Sequence, residues 1–538
     1  MTRAAIVAVV VACGAATPGR GQVPVPVAVP GLGTLSFPTS TQVAAAQQAF
    51  LRGVLQLHVF EYSSALEAFR EAERLDPTFA MAYWGEAMTY THPVWDEQDV
   101  PGARAALERL GPSPAAREAK AATPRERGYL RAVDILYGDG TKALRDTLYS
   151  QAMGALSHAY PADDEARLFY ALSLLGLSQS VRNIPTYLHA AAIAESVFAR
   201  NPLHPGAAHY WIHGMDDPDH AALALPAARA LSAIAPDAGH AQHMTSHIFM
   251  ALGMWDDVVT ANENAMRVVN ATRGARGAAP AACGHYNAFL DYGYLQQGRV
   301  ADARRLLAAC RDQVRPGSTR PQDLDPDTYS FISMWSRYLL DTQDWSGQVA
   351  SWDVDPGEAP APRLSFWFTR AFGAARQADT TARRRAFAAF ELARHDIAAI
   401  IAQSGVPPAP DQREFLMRAE VLRLELVGSI DGSLDTLRQA VALERGMAYA
   451  FGPPFVNEPA DELLGTQLLA AHRPNEARRA FEAALARTPG RASVLLGLAR
   501  AAAASGDRAA ASRHYAALAA IWHAADPDLP DLKEVRAR

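Results

Sequence analysis

Four histidines in this chain have the spacing of metal ligands. His209 and His213 are four residues apart, as are His243 and His247. On a helix, residues i and i+4 lie on one face, one turn above the other. The second pair follows the first by 34 residues (243 minus 209). Two successive units of a repeated fold would therefore carry histidine at the same two positions. Stacking the units brings the pairs side by side, and four imidazoles converging on one point is the expectation. Neutral imidazole is a common ligand for Zn, Cu, Fe and Ni, and burying four of them together without partners is costly. The chain is thus expected to bind about one transition-metal ion (Zn, Cu or Fe), with His240 and His285 as weaker candidate ligands. The segment HYWIH is not the zinc-protease motif HExxH, because Tyr210 stands where the general base would be.

The elements that hold these residues must be helices. Ala is abundant, strand-like alternation is hard to find, and 49% hydrophobic with 20% charged residues is ordinary for a folded chain. The formal net charge of −6 gives no basic excess for nucleic acid. P-loop, dinucleotide and GxSxG motifs are missing from the sequence.

The repeat pattern is clearest at the two ends. Gly53, Ala65, Phe69, Ala72 and Pro77 place small residues, an aromatic and a helix-ending proline at fixed intervals. Tyr83, Ala87 and Tyr90 begin a second unit, which loosens through HPVWDEQDVPG. Leu464, Gly465, Ala477, Phe481, Ala484 and Pro489 repeat the pattern, and Ala499, Ala511 and Tyr515 continue it. Leu518 then stands where a small residue is preferred, as in a terminal cap. In these residues the chain resembles the tetratricopeptide-repeat family of exported bacterial proteins. The resemblance implies an all-α, right-handed superhelical solenoid of helix-turn-helix repeats, with first-helix positions 2, 5, 9, 12 and 13 lining a concave groove.

Setting Pro236 as position 32 puts His209 and His213 at positions 5 and 9, and Asp216 and Asp217 at 12 and 13. The next unit has His240, His243 and His247 at 2, 5 and 9. After the insertion NATRGARGAAPAAC, His285 falls at 2 and Tyr292 at 9. His58 and His92, also 34 apart, fall at position 13 of their units. They read either as solvated groove residues or as an outer wall facing the central cluster. Segments around Tyr329 to Leu340, Arg363 to Gln377 and Gln412 to Leu426 read as further helices without a definite register. Tyr449 to Glu458 reads first as a repeat breaker and second as a groove lid. Register sets Cys283 beside Cys310, in an antiparallel hairpin that either a disulfide closes or two buried free thiols share.

The N-terminus has the form of an export signal. Arg3 precedes the apolar run Ala4–Ala12, which is too short to span a bilayer. Val10–Cys13 resembles a lipobox with Cys13 as a lipid anchor, and ordinary cleavage near Ala16 or Gln22 is the other reading. The expected organisation is a signal over 1–22, a Pro/Gly-rich linker over 23–40, N-terminal repeats over 41–160 and His-rich repeats over 161–312. Degenerate helical repeats over 313–455 and C-terminal repeats over 456–538 complete it.

Two functions follow. The first is an exported scaffold, in the periplasm or cell envelope, binding a peptide or protein partner in a His-lined groove with a bound metal. The second is a metal-dependent enzyme, a hydrolase or oxidoreductase, with Glu165, Tyr210, Asp216 and Asp217 as proton-transfer candidates. Glu165 equally fits a charged helix N-terminus.

Overall fold

The computed structural model describes residues 26–177, 181–314, 326–403, 405–450, 452–454 and 456–538. The signal expected over 1–22, with Cys13, lies outside the described residues. Within them the chain is all-α, a solenoid of antiparallel helix pairs with two small two-stranded hairpins. No helix among the described residues is long and apolar enough to cross a membrane.

Close helix contact comes from glycine set against phenylalanine. Phe69 is fully buried between Gly53 and Gly85, where an added Cβ would stand 2.8 and 2.3 Å from its ring. Phe481 sits in the same way between Gly465 and Gly497, at 2.9 and 2.4 Å. Each ring fills the space that the missing Cβ atoms leave, and burying one is worth about 1.5–3 kcal/mol. The turn between the paired helices also repeats. Phe60, Gly253, Gly298, Ala378, Gly432, His472 and Gly506 all end a first helix in the left-handed region, as helix C-termini commonly do.

Residues 26–40 correct the linker expectation. Val27–Val29 pairs antiparallel with Gly33–Leu35, and Leu35 and Phe37 are buried in the core. The Thr34 amide donates to the Leu203 carbonyl at 2.9 Å. The hairpin is therefore part of the repeat array. That core runs unbroken from Leu32 to Tyr292, across the division expected at 160/161.

The pattern loosens at 91–98 for a physical reason. Here Thr91–His92 and Glu97–Gln98 form a second hairpin around the single turn Pro93–Trp95. The C-terminal repeats fold back on the middle of the chain. Trp255 donates to the Gly490 carbonyl at 2.7 Å, and buried Arg491 joins Asp341, Glu462 and the Tyr292 hydroxyl. Cys283 and Cys310 are disulfide-bonded, with Cα atoms 4.7 Å apart. That bond pins the segment immediately before the helix His285–Gln296.

Candidate metal centre

Three first helices stand side by side. Pro205–Gly214 carries His209 and His213, Gly239–Ala251 carries His240, His243 and His247, and His285–Gln296 begins at His285. The four strong candidates do not converge on one point. They divide into two triads, His209–His213–His240 and His243–His247–His285, and within each the ligand atoms lie within 4.8 Å of one another. Adjacent first helices are staggered, so positions 5 and 9 of one repeat meet position 2 of the next. The middle helix serves both triads. The triads abut, with ring centroids 6.0 Å apart for His240–His243 and 6.3 Å for His213–His247.

Tautomers follow from the partners of the other ring nitrogens. His209 Nδ1 donates to the His58 carbonyl at 2.7 Å. Asn262 donates its amide to the Val258 carbonyl, so its Oδ1 faces His243 and accepts from Nδ1 at 2.7 Å. His247 Nδ1 donates to Asp216 Oδ2 at 2.6 Å. Three Nε2 lone pairs are thereby turned inward, each from a second nitrogen held by an outer acceptor, the usual arrangement of metal-bound imidazole.

Nothing among the described residues satisfies them. In the first triad Nε2 of His209, His213 and His240 are all buried without a hydrogen-bond partner. In the second, Nε2 of His243 and His247 face each other at 3.1 Å. With both Nδ1 atoms donating, that contact is lone pair against lone pair, and only a proton or a metal ion between them is favourable. Burial disfavours the proton. It holds His209 down at about 3 and His213, His240 and His243 well below the usual imidazole range, each lowered further by neighbouring histidines. A zinc-type ion with bonds of about 2.0–2.1 Å needs its nitrogens roughly 3.3–3.5 Å apart, which small ring rotations bring within reach.

A third histidine cluster differs in kind. Glu165 accepts from His58 Nε2 at 2.7 Å and from His204 Nε2 at 2.9 Å. The remaining nitrogens accept, His58 Nδ1 from the Tyr210 hydroxyl at 2.9 Å and His204 Nδ1 from the Ala207 amide at 3.3 Å. Every polar atom of these imidazoles is satisfied by protein. Burial raises the Glu165 carboxyl, but the charges and hydrogen bonds of His204 and His58 outweigh it and hold it at about 2. This cluster supports the site through the His58 carbonyl.

The other sequence candidates fall as follows. His58 is buried, so neither a solvated groove position nor an outer wall describes it. His92 stacks on Tyr62 at 3.9 Å and lines the larger cavity. Asp216 orients His247, whereas Asp217 pairs with His220 and Arg182 away from the triads. Tyr292 lies behind the site against Arg491. Asn262, Phe60, Tyr286 and Phe289 carry no sequence signal, yet all touch the histidines. Phe60 packs on His209 at 4.4 Å, Tyr286 stacks on His243 at 4.5 Å, and Phe289 meets His243 at 4.6 Å.

Two cavities flank the triads. One of about 450 Å³ opens over both, lined by His240, His285, Phe60, Tyr62, Trp95 and Tyr286. His285 is exposed to it. A smaller one of about 80 Å³ lies behind His247, beneath the loop that follows Met447. There the Tyr449 hydroxyl donates to Asp219 at 2.9 Å, and Gly452 packs on Phe289. The loop lies over the His247 side of the histidine face.

Comparison with known proteins bears on the repeats. No curated protein matches the chain. Solved structures similar to it include a human IFIT1 dimer with m7Gppp-AAAA, at 12% identity over 91% of this chain and 92% of that one, TM-score 0.34. They also include yeast Tom70, at 11% identity over 90% and 86%, TM-score 0.26. The P58(IPK) TPR domain matches at 12% identity over 86% and 99%, TM-score 0.20. Residues 468–538 match the family described as "Tetratricopeptide repeat", so the C-terminal part of this chain carries tetratricopeptide repeats.

Proposed function

We propose that the chain is a binuclear metalloenzyme. Two transition-metal ions sit on the two histidine triads, and a small molecule is turned over in the cavity they floor. The observation that carries this reading is the set of inward Nε2 atoms without hydrogen-bond donors, three in one triad and an opposed pair in the other. Three protein ligands per ion leave a coordination position for water or substrate, whereas structural sites are closed by four. A cavity of about 450 Å³ is of small-molecule size.

A solenoid of this kind presents extended surfaces to protein partners. A peptide laid along the histidine face itself has less support, because the Tyr449 loop covers part of it. We also infer export to the periplasm or cell envelope, with or without a lipid on Cys13. The Cys283–Cys310 bond supports this, since disulfides persist in oxidising compartments.

Metal analysis of untagged protein, reconstituted in turn with Zn, Cu and Fe, is expected to find two ions per chain. His213→Ala and His247→Ala should each lose one. One ion or none in the parent overturns the reading. Cobalt substitution separates catalysis from structure: azide should shift the visible spectrum of open three-ligand sites. An unchanged spectrum would mean closed structural sites.

A further inference from the structure

Resting on the binuclear reading, we propose that the two ions are copper and that the pair oxidises an o-diphenol with dioxygen, the aromatic ring being held in the cavity over the triads.

The ligand set argues for copper. All six ligands are imidazoles, neutral when they bind metal, and no carboxylate belongs to either triad. Hard ions such as Mg, Ca and Mn favour carboxylate oxygens, and non-haem Fe(II) favours two histidines with one carboxylate. Charge points the same way. Two divalent ions on six neutral ligands would place four positive charges in the site, and two Cu(I) ions place two. Two carboxylates adjoin the triads without belonging to either: Asp216 accepts from His247 Nδ1, and Glu61 accepts from the His240 amide. Buried charge is costly in proportion, so the lower charge is the better match.

The cavity argues for a flat aromatic substrate. Phe60, Tyr62, Trp95 and Tyr286 wall it, and His92 lies stacked on Tyr62. Three of these rings also touch triad histidines: Phe60 packs on His240 at 5.3 Å, Trp95 meets His240 edge-on at 5.5 Å, and Tyr286 stacks on His243. A ring seated between them lies against His240 and His285. Trp95, 40% exposed, stands at the entrance. Glu97 is the one charged side chain among the lining residues, so a neutral or cationic diphenol is favoured over one bearing a carboxylate.

The reaction balances with dioxygen as oxidant. Each diphenol gives up two electrons and two protons as its two O–H bonds break, and becomes an o-quinone. Two diphenols reduce one dioxygen to two waters, and each copper alternates between +1 and +2. The adjacency of the triads lets two electrons move together, which a single copper cannot arrange.

The test uses full-length untagged protein loaded with copper, with 4-methylcatechol as the probe. Quinone absorbance and oxygen uptake are followed together, and the expected ratio is two diphenols per dioxygen. Zinc-loaded protein and His247→Ala should be inactive. Trp95→Ala should raise KM about fivefold or more while kcat changes less than about twofold, because it removes binding rather than chemistry. 3,4-Dihydroxybenzoate should be about tenfold poorer in kcat/KM, from its repulsion by Glu97. Two coppers bound without catechol-dependent oxygen uptake overturns this proposal and leaves the binuclear reading standing. Failure to bind two ions of any of the metals overturns that reading itself. An unchanged KM in folded Trp95→Ala, checked by circular dichroism, removes the cavity assignment.

Discussion

Asn262 sits in a second helix, Trp255–Ala275, with its side chain turned toward His243. Its carbonyl oxygen accepts from His243 Nδ1, and that bond decides which nitrogen of His243 faces inward. Removing such an outer partner commonly costs about 10–100-fold in metal affinity. Asn262→Leu is therefore expected to weaken one of the two ions by that factor and to leave the other bound, as a chelator titration with two resolved steps would read. Equal weakening of both steps would contradict the separate triads. At this scale the sequence was informative in part. The pairs His209/His213 and His243/His247 stand out because helical spacing is a local property. Which third histidine joins which pair is not local. It depends on the stagger between neighbouring helices, so His240 and His285 were visible as candidates but not as partners. Asn262 and Phe289 have no distinguishing neighbours in the sequence, and only packing reveals them.

Among the elements, the segments that broke the repeat pattern turned out to shape the site. The hairpin at 91–98 supplies the His92, Trp95 and Glu97 side of the larger cavity. The loop after Met447 covers the smaller one. The sequence offered both as walls only in second readings, because turn signals say where a helix stops and not what the turn lies against. The hairpin at 27–35 was misread for a related reason: its Pro and Gly content matches a linker, and its burial depends on Leu203 and Asn201, about 170 residues away in sequence. Gly452 tests the covering loop. Its φ is +123°, and an added Cβ would lie 2.2 Å from the Phe289 ring. Backbone strain and overpacking each cost about 1–3 kcal/mol. Gly452→Ala should lower the melting temperature measurably and disturb the visible spectrum of the cobalt protein through Phe289. A variant as stable as the parent would mean that the loop moves away at little cost.

Across the whole molecule, the triad histidines with depressed pKa values contribute to the acid response. Burial holds His209 and His285 down at about 3 in the folded protein and lowers His213, His240 and His243 in the same direction. Unfolded histidine takes up a proton near pH 6.5. Between those values the unfolded chain binds protons that the folded chain does not, so stability falls as pH falls. Each such group contributes up to about 1.4 kcal/mol per pH unit. The buried carboxylates Glu73, Glu444 and Glu458, raised by burial to about 8, 7 and 8, oppose this loss. His209→Phe, which removes one such histidine, should therefore lose less stability between about pH 7.5 and 4.5 than the metal-free parent, as thermal melts would read. Because the folded rings are already neutral over that range, bound metal should raise the parent curve by about the same amount at each pH, and no rise would argue against metal on these rings. The staggered sharing of the helix Gly239–Ala251 carries a consequence of a different sort. Arrays of this class can gain or lose whole units by duplication and deletion, since each unit contacts only its neighbours. Between the helices Pro205–Gly214 and His285–Gln296 that freedom is gone. One unit inserted there would pull a triad apart, and one removed would leave a single triad in place of two. Copy number is fixed at the centre, so lineages descended from this chain should keep the spacing across those three helices.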